Sequence, residues 1–141
     1  MSKDNFYIRI FNKHDQIHVQ DLVISGLLST AFNRNKSVKD GISAYLKRSL
    51  SEDLGNIYDH YFNDGIFFVA IFDGNIIGCL GAEKDNDFTF RLKRLSVKKE
   101  YRKQGIAKEL LKSIEKWTKE RGANKLILGT SEVQRDAFIF W

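Results

Sequence analysis

The chain has 141 residues, a formal net charge of +5, 43% apolar residues and no proline. That length suits one domain with its own core, that apolar content excludes a disordered chain, and a lone cysteine, Cys79, excludes an internal disulfide. No apolar run approaches the roughly 18 residues of a membrane span, and Met1 to Arg9 lacks the apolar region of a signal peptide.

Phe6 to Phe11 reads as a short strand, with Tyr7, Arg9 and Phe11 facing away from Phe6, Ile8 and Ile10. Asp15 reads as an N-cap, and after it Ile17, Val19, Leu22, Val23, Leu27 and Leu28 recur at helical spacing. Ser37 and Asp40 form a capping-box pattern that opens a second helix through Val38, Ile42, Tyr45, Leu46 and Leu50. Ser51 to Asn63 is a short helix or a loop. The period then changes. Ile66 to Phe72 is a continuous apolar run, as in a strand covered on both faces. Asp73-Gly74-Asn75 is a hairpin turn, since Asp-Gly tolerates positive φ, and Asn75 to Ala82 returns as the next strand. Lys84-Asp85-Asn86-Asp87 turns again into a third strand, Phe88 to Val97. Ile106, Ala107, Leu110, Leu111, Ile114 and Trp117 form the apolar stripe of a helix that ends at Gly122 in the C′ position. Lys125 to Gly129 is a strand parallel to Arg91–Val97, because a helix crosses between them. Ser131 to Trp141 begins a further helix.

The strand Phe88–Val97 carries a defect. Phe88, Phe90 and Leu92 put apolar side chains on even positions, whereas Leu95 and Val97 put them on odd ones. A strand has period two, so one face stays apolar across Lys93-Arg94 only if a residue is inserted there. The expectation is a β-bulge, whose bend leaves backbone groups unpaired. The alternative is a strand covered on both faces near its end.

Five cations, Lys98, Lys99, Arg102, Lys103 and Lys108, crowd into eleven residues at the start of the following helix. A helix N-terminus offers unpaired N–H groups and partial positive charge, which suits a phosphate. Gly105 removes a Cβ where the backbone would approach that phosphate, and Ala107 keeps the next inward position small.

On these residues the chain resembles the GNAT family of N-acetyltransferases. Arg102-Lys103-Gln104-Gly105-Ile106-Ala107 fits the family's cofactor motif, Arg/Gln-x-x-Gly-x-Gly/Ala. Leu92 through Arg102 is similar to its bulged fourth strand and pyrophosphate loop. Lys119 through Leu128 is similar to its helix-to-fifth-strand joint. The likeness covers nearly the whole chain, with the specific motifs between residues 91 and 137.

The resemblance implies an α/β (α+β) domain of the acyl-CoA N-acyltransferase fold, a mixed and mostly antiparallel central sheet flanked by helices. It implies transfer of acetyl from acetyl-coenzyme A, as co-substrate, to a primary amine of a small molecule or peptide. The amine attacks directly in a ternary complex. Leu95, Ser96 and Val97 would contact the acetyl and pantetheine portions, and the Leu95 amide would receive the charge on the thioester oxygen. Arg102, Lys103, Gln104, Gly105, Ile106, Ala107 and Lys108 would hold the pyrophosphate. Gln134 stands where many members have an asparagine on the cofactor arm. Glu83 is a candidate base, its other reading being a solvated turn carboxylate.

The chain departs from the family at two places. Trp141 aligns with a position where a tyrosine often protonates the leaving thiolate, and an indole N–H does not serve that role. The two strands that normally follow are absent from the sequence, so either the natural product runs further or a partner chain, a homodimer for example, completes the sheet edge. These departures keep a degenerate coenzyme A-binding domain as an alternative. The charge keeps a basic nucleic-acid-binding module as a second. His14, His18 and His60 share no metal-ligand spacing with Cys79, so no metal is expected. The reading is thus a single cytoplasmic domain over residues 1–141, with acetyl-coenzyme A and an amine as partners and neither nucleic acid nor membrane.

Overall fold

The computed structural model describes residues 5–31, 36–128 and 137–140. Among these, six strands form one sheet in which chain order is also spatial order. They are β1 (Phe6–Ile10), β2 (Ile66–Phe72), β3 (Asn75–Asn86), β4 (Thr89–Val97), β5 (Lys125–Leu128) and β6 (Ala137–Phe140). Helices α1 (Gln16–Ala31), α2 (Lys36–Ser49) and α3 (Ile57–Tyr61) lie between β1 and β2, and α4 (Ile106–Glu120) between β4 and β5. Neighbouring strands are antiparallel except β4 and β5, which α4 makes parallel.

The unbroken apolar run of β2 follows from helices on both sheet faces. Ile66, Phe68 and Ala70 share a core with Ile106, Leu110 and Ile114 of α4. Phe67, Val69 and Ile71 share the opposite core with Val19, Leu22 and Val23 of α1 and with Ile57 and Tyr61 of α3. The hairpin turn adopts φ of +52° at Asp73 and +77° at Gly74, and Gly122 ends α4 at φ +86°, as expected for both.

Several local expectations give way. Asp15 is not an N-cap: Asn12 caps the 3-10 turn Lys13–Asp15, and Asp15 is the third residue of its capping box. The Asp15 carboxylate is taken instead by Arg9, at 2.7 and 2.9 Å. Ser37 lies inside α2 rather than at its cap. The segment after α2 forms a π-helical turn, Leu50–Leu54, before α3. The second turn sits later than Lys84–Asp87. β3 runs on to Asn86, because Asp85 pairs with Arg91 across the ladder at 3.9 Å and the Asn86 side chain accepts the Phe88 N–H at 3.0 Å.

The largest correction is at the end of the chain. Residues 137–140 are not helical but pair antiparallel with β5, Ala137 opposite Leu128 and Phe140 opposite Lys125. The β-favouring run Phe138-Ile139-Phe140 covers an edge of β5 that would otherwise be open. The sheet therefore extends one strand beyond the expected limit at β5. Ser131 to Asp136 and Trp141 lie outside the described residues.

Candidate active site

The ladder between β3 and β4 is broken where the apolar parity changes. Gly81 pairs with Lys93 and Cys79 with Ser96, so Arg94 and Leu95 together oppose Leu80 alone. Arg94 takes up the extra residue at φ +64°. Leu92 before the bulge and Val97 after it both pack on the α4 core. The expected bulge is present.

On its other side β4 is paired with β5 only at Thr89, Phe90 and Arg91. Beyond Arg91 no described residue of β5 pairs with β4, and a cleft of about 830 Å³ opens along Leu95, Ser96 and Val97. Arg102, Ala107 and Lys108 line the same cleft from the loop and the start of α4. Its far wall comes from α1 (Leu22, Val23, Gly26 and Leu27) and from Tyr45 of α2. Among the described lining residues there are four cations, Lys93, Arg94, Arg102 and Lys108, and no carboxylate.

The loop before α4 explains the spacing of its residues. Arg102 Nε donates to the Val97 carbonyl at 3.2 Å, which ties the loop to the end of β4. Lys103 has φ +65° and Gly105 φ +85°, so the chain turns sharply into the helix. The first α-helical bond runs from Glu109 N–H to the Gly105 carbonyl at 3.0 Å, leaving the amides of Ile106, Ala107 and Lys108 ahead of the intrahelical ladder. A Cβ on Gly105 would meet no heavy atom within 4 Å, so this position borders open space. Gln104, Gly105 and Lys108 line a second pocket of about 450 Å³ with Phe6, Tyr7 and Ile8 of β1. Ile106 itself is 2% exposed and seats the first turn of α4 in the core. Lys103 is not among the residues lining either pocket.

Beneath the cleft lies a charged network that sequence reasoning missed. Arg94 Nε and Nη2 donate to the two Asp53 oxygens at 2.8 and 2.6 Å, and Arg94 Nη1 donates to the Tyr45 hydroxyl at 3.0 Å. Tyr61 donates to Asp53 at 2.7 Å. Burial works to raise the Asp53 carboxyl, but the Arg94 and Tyr61 hydrogen bonds outweigh it and hold the group below its usual range. Burial next to that carboxylate raises the Tyr61 phenol. Arg94 was legible only as part of the bulge; nothing in the local pattern marks Asp53 or Tyr45.

Glu83 is not among the described residues that line the cleft. Its carboxylate lies 2.6 Å from His60 Nε2 and 3.9 Å from Lys93 Nζ, and Lys93 is the residue that reaches the cleft. Gln134 lies outside the described residues, as does Trp141. Cys79 is fully buried and its thiol is pushed up to about 12 by desolvation, as suits a core residue. Among the described residues no cluster of His, Cys, Asp and Glu could hold a metal, and no helix is long and apolar enough to cross a membrane.

Residues 35–141 match the Acetyltransferase (GNAT) family. The chain belongs to that family. N-acetylaspartate synthetase of Rattus norvegicus is 33% identical over 116 residues, which cover 80% of this GNAT chain and 38% of that protein. The chain thus spans well under half the length of this curated relative. A GNAT-family acetyltransferase from Staphylococcus aureus Mu50 superposes with a TM-score of 0.73 at 26% identity, over 89% of this chain and 73% of that one. The PaiA N-acetyltransferase of Thermoplasma acidophilum, solved in complex with coenzyme A, has the same fold at TM-score 0.74 and 23% identity, covering 91% and 80% of the two chains. The sheet that carries the bulge and the cationic helix start therefore has the GNAT fold.

Proposed function

We propose that this chain is an N-acetyltransferase that moves an acetyl group from acetyl-coenzyme A to a primary amine by direct attack in a ternary complex. One observation carries the reading: the bulge at Leu95 and a cationic helix start, through Arg102, Ala107 and Lys108, line the same cleft. The site fits a phosphorylated thioester carrier. It offers two cations, three amides ahead of the helical ladder, and at Gly105 a left-handed turn beside open space. When bound, the thioester supplies an electrophilic acyl carbon and a thiolate leaving group.

The residues of the chain divide the work. Arg102, Lys108 and the amides of Ile106 to Lys108 hold the pyrophosphate, with Gln104 and Gly105 shaping the loop behind it. Leu95 N–H, at the bulge where the ladder register skips Leu95, is the donor for charge growing on the acyl oxygen. Ser96 and Val97 border the narrow arm. Lys93 and the Tyr45 hydroxyl face the acceptor end, and the absence of a carboxylate among the described lining residues favours an acceptor that itself carries negative charge. An amino acid meets both requirements, and the rat relative is named for N-acetylaspartate, an acylated amino acid. Glu83, engaged by His60 and Lys93, holds Lys93 in the wall, and the ammonium proton leaves to solvent through the open cleft.

The test is release of free thiol from acetyl-coenzyme A with amino acids, polyamines and peptide N-termini as acceptors. Turnover with an acidic amino acid and none with polyamines is expected. Coenzyme A at one hundred times its dissociation constant should stabilise the fold by about 2.7 kcal/mol. A protein neither stabilised nor active in any arm overturns the reading.

A further inference from the structure

Arg94 holds φ +64°, a conformation that non-glycine residues keep only when their surroundings impose it. Its surroundings are specific. Two guanidinium nitrogens reach both Asp53 oxygens, the third reaches the Tyr45 hydroxyl, and the Arg94 and Asp53 side chains are only 7% and 2% exposed. Asp53 arrives from the π-helical turn after α2 and is itself held by Tyr61. The next residue after Arg94 is Leu95. A glycine at position 94 would take the same φ with no anchor at all. A buried apolar pair would serve stability as well as an ion pair does. The chain uses neither.

We propose that Asp53 is a positioning residue for acetyl transfer: by clamping Arg94 it keeps the bulge in the left-handed conformation that leaves the Leu95 amide free of the ladder at the cleft. The inference rests on the proposed use of that amide. A slip of the ladder by one residue would return Leu95 N–H to a strand pair and turn the following side chains to the other sheet face.

Arg94→Gly and Arg94→Ala test this, because both remove the guanidinium and leave Asp53 with Tyr61 alone, while only alanine resists the left-handed conformation. Arg94→Ala is expected to turn over about fivefold or more slowly than Arg94→Gly, with coenzyme A affinity the same in both. Asp53→Asn is expected to lower kcat with little change in KM for acetyl-coenzyme A, and adding Arg94→Gly should restore part of that loss. In the free protein, the Leu95 and Ser96 amide resonances should shift in Asp53→Asn and in Arg94→Ala and move back in Asp53→Asn/Arg94→Gly. Equal kcat for the two Arg94 variants, or unmoved Leu95 and Ser96 amides in Asp53→Asn, overturns the clamp. Should Asp53→Asn fail to fold, the Arg94 pair carries the test alone. A wild-type protein that neither binds coenzyme A nor releases thiol overturns the proposed function and this role with it, whereas the spectra of the free protein read the clamp separately.

Discussion

Gly78 of β3 and Ile106 of α4 meet with no room to spare: a Cβ on Gly78 would stand 3.1 Å from Ile106 Cγ2 and 3.3 Å from the Ser96 carbonyl oxygen. The contact seats the first turn of α4 against the strands beside the bulge. It thereby sets the distance between the cationic helix start and Leu95–Val97. Gly78→Ala should destabilise the fold by about 1–3 kcal/mol through overpacking. It should also weaken coenzyme A binding, because α4 has to move outward. Urea denaturation and calorimetric titration measure the two effects; an unchanged protein in both would mean that this contact does not set the cleft.

Gly105 calls for a different outcome. Its φ of +85° strains any side chain, yet a Cβ there touches nothing in the protein. Gly105→Val should therefore fold with a loss of about 1–2 kcal/mol while losing most of its coenzyme A affinity. Full affinity in a folded Gly105→Val protein would remove this turn from the site.

Arg102 and Lys108 line the cleft from either side of that turn. Each replaced by alanine should weaken coenzyme A binding by about 1.5–3 kcal/mol, the scale of a charge-assisted hydrogen bond. Dephosphorylated pantetheine should show no such dependence, since it has no pyrophosphate to hold. Equal losses for both ligands would place these cations elsewhere in the binding event.

Acid should act on the fold through two buried carboxylates. Burial opposes ionisation of Asp53 and Asp15, but hydrogen bonds from Arg94 and Tyr61 in one case, and from Arg9 and the Asn12 amide in the other, outweigh it and lower both below the ordinary 3.8. A lowered folded-state value stabilises the fold above the unfolded value, and that stabilisation fades as pH falls through the folded one. Urea midpoints should accordingly decline once pH drops below about 3.8. Asp53→Asn should flatten that decline, and an identical pH profile in the variant would deny the carboxylate its part.

Cys79 should be silent. With its thiol buried and pushed up to about 12, it should react with an aromatic disulfide reagent only as fast as the fold opens. Rapid labelling of the native protein would contradict its place in the core.

Much of this architecture is legible along the chain because its signals are local. The apolar run of β2, the Asp73-Gly74 turn and the stripe from Ile106 to Ile114 each follow from a period or a φ requirement within a few residues. Even the bulge shows, since Leu92 and Leu95 cannot share a face of an unbroken strand. The cationic loop is likewise visible as spacing, and so is the family it resembles.

Other features depend on parts of the chain that meet only after folding. The turn at Asp87-Phe88 overrides a stronger-looking one because Asp85 finds Arg91 across the ladder. Residues 137–140 form a strand because β5 offers them an open edge. Glu83 meets His60 of α3 and Lys93 of β4, which no local pattern announces. Arg94 finds Asp53 across 41 residues of sequence, and nothing near either one announces the partner. Periodicity tells which face of an element is apolar, but charged and polar side chains are fixed by whatever a distant segment brings to them. The sequence by itself determined the strands up to β5, the break in β4 and the cationic turn beside it; tertiary packing alone decided which charges meet at that break.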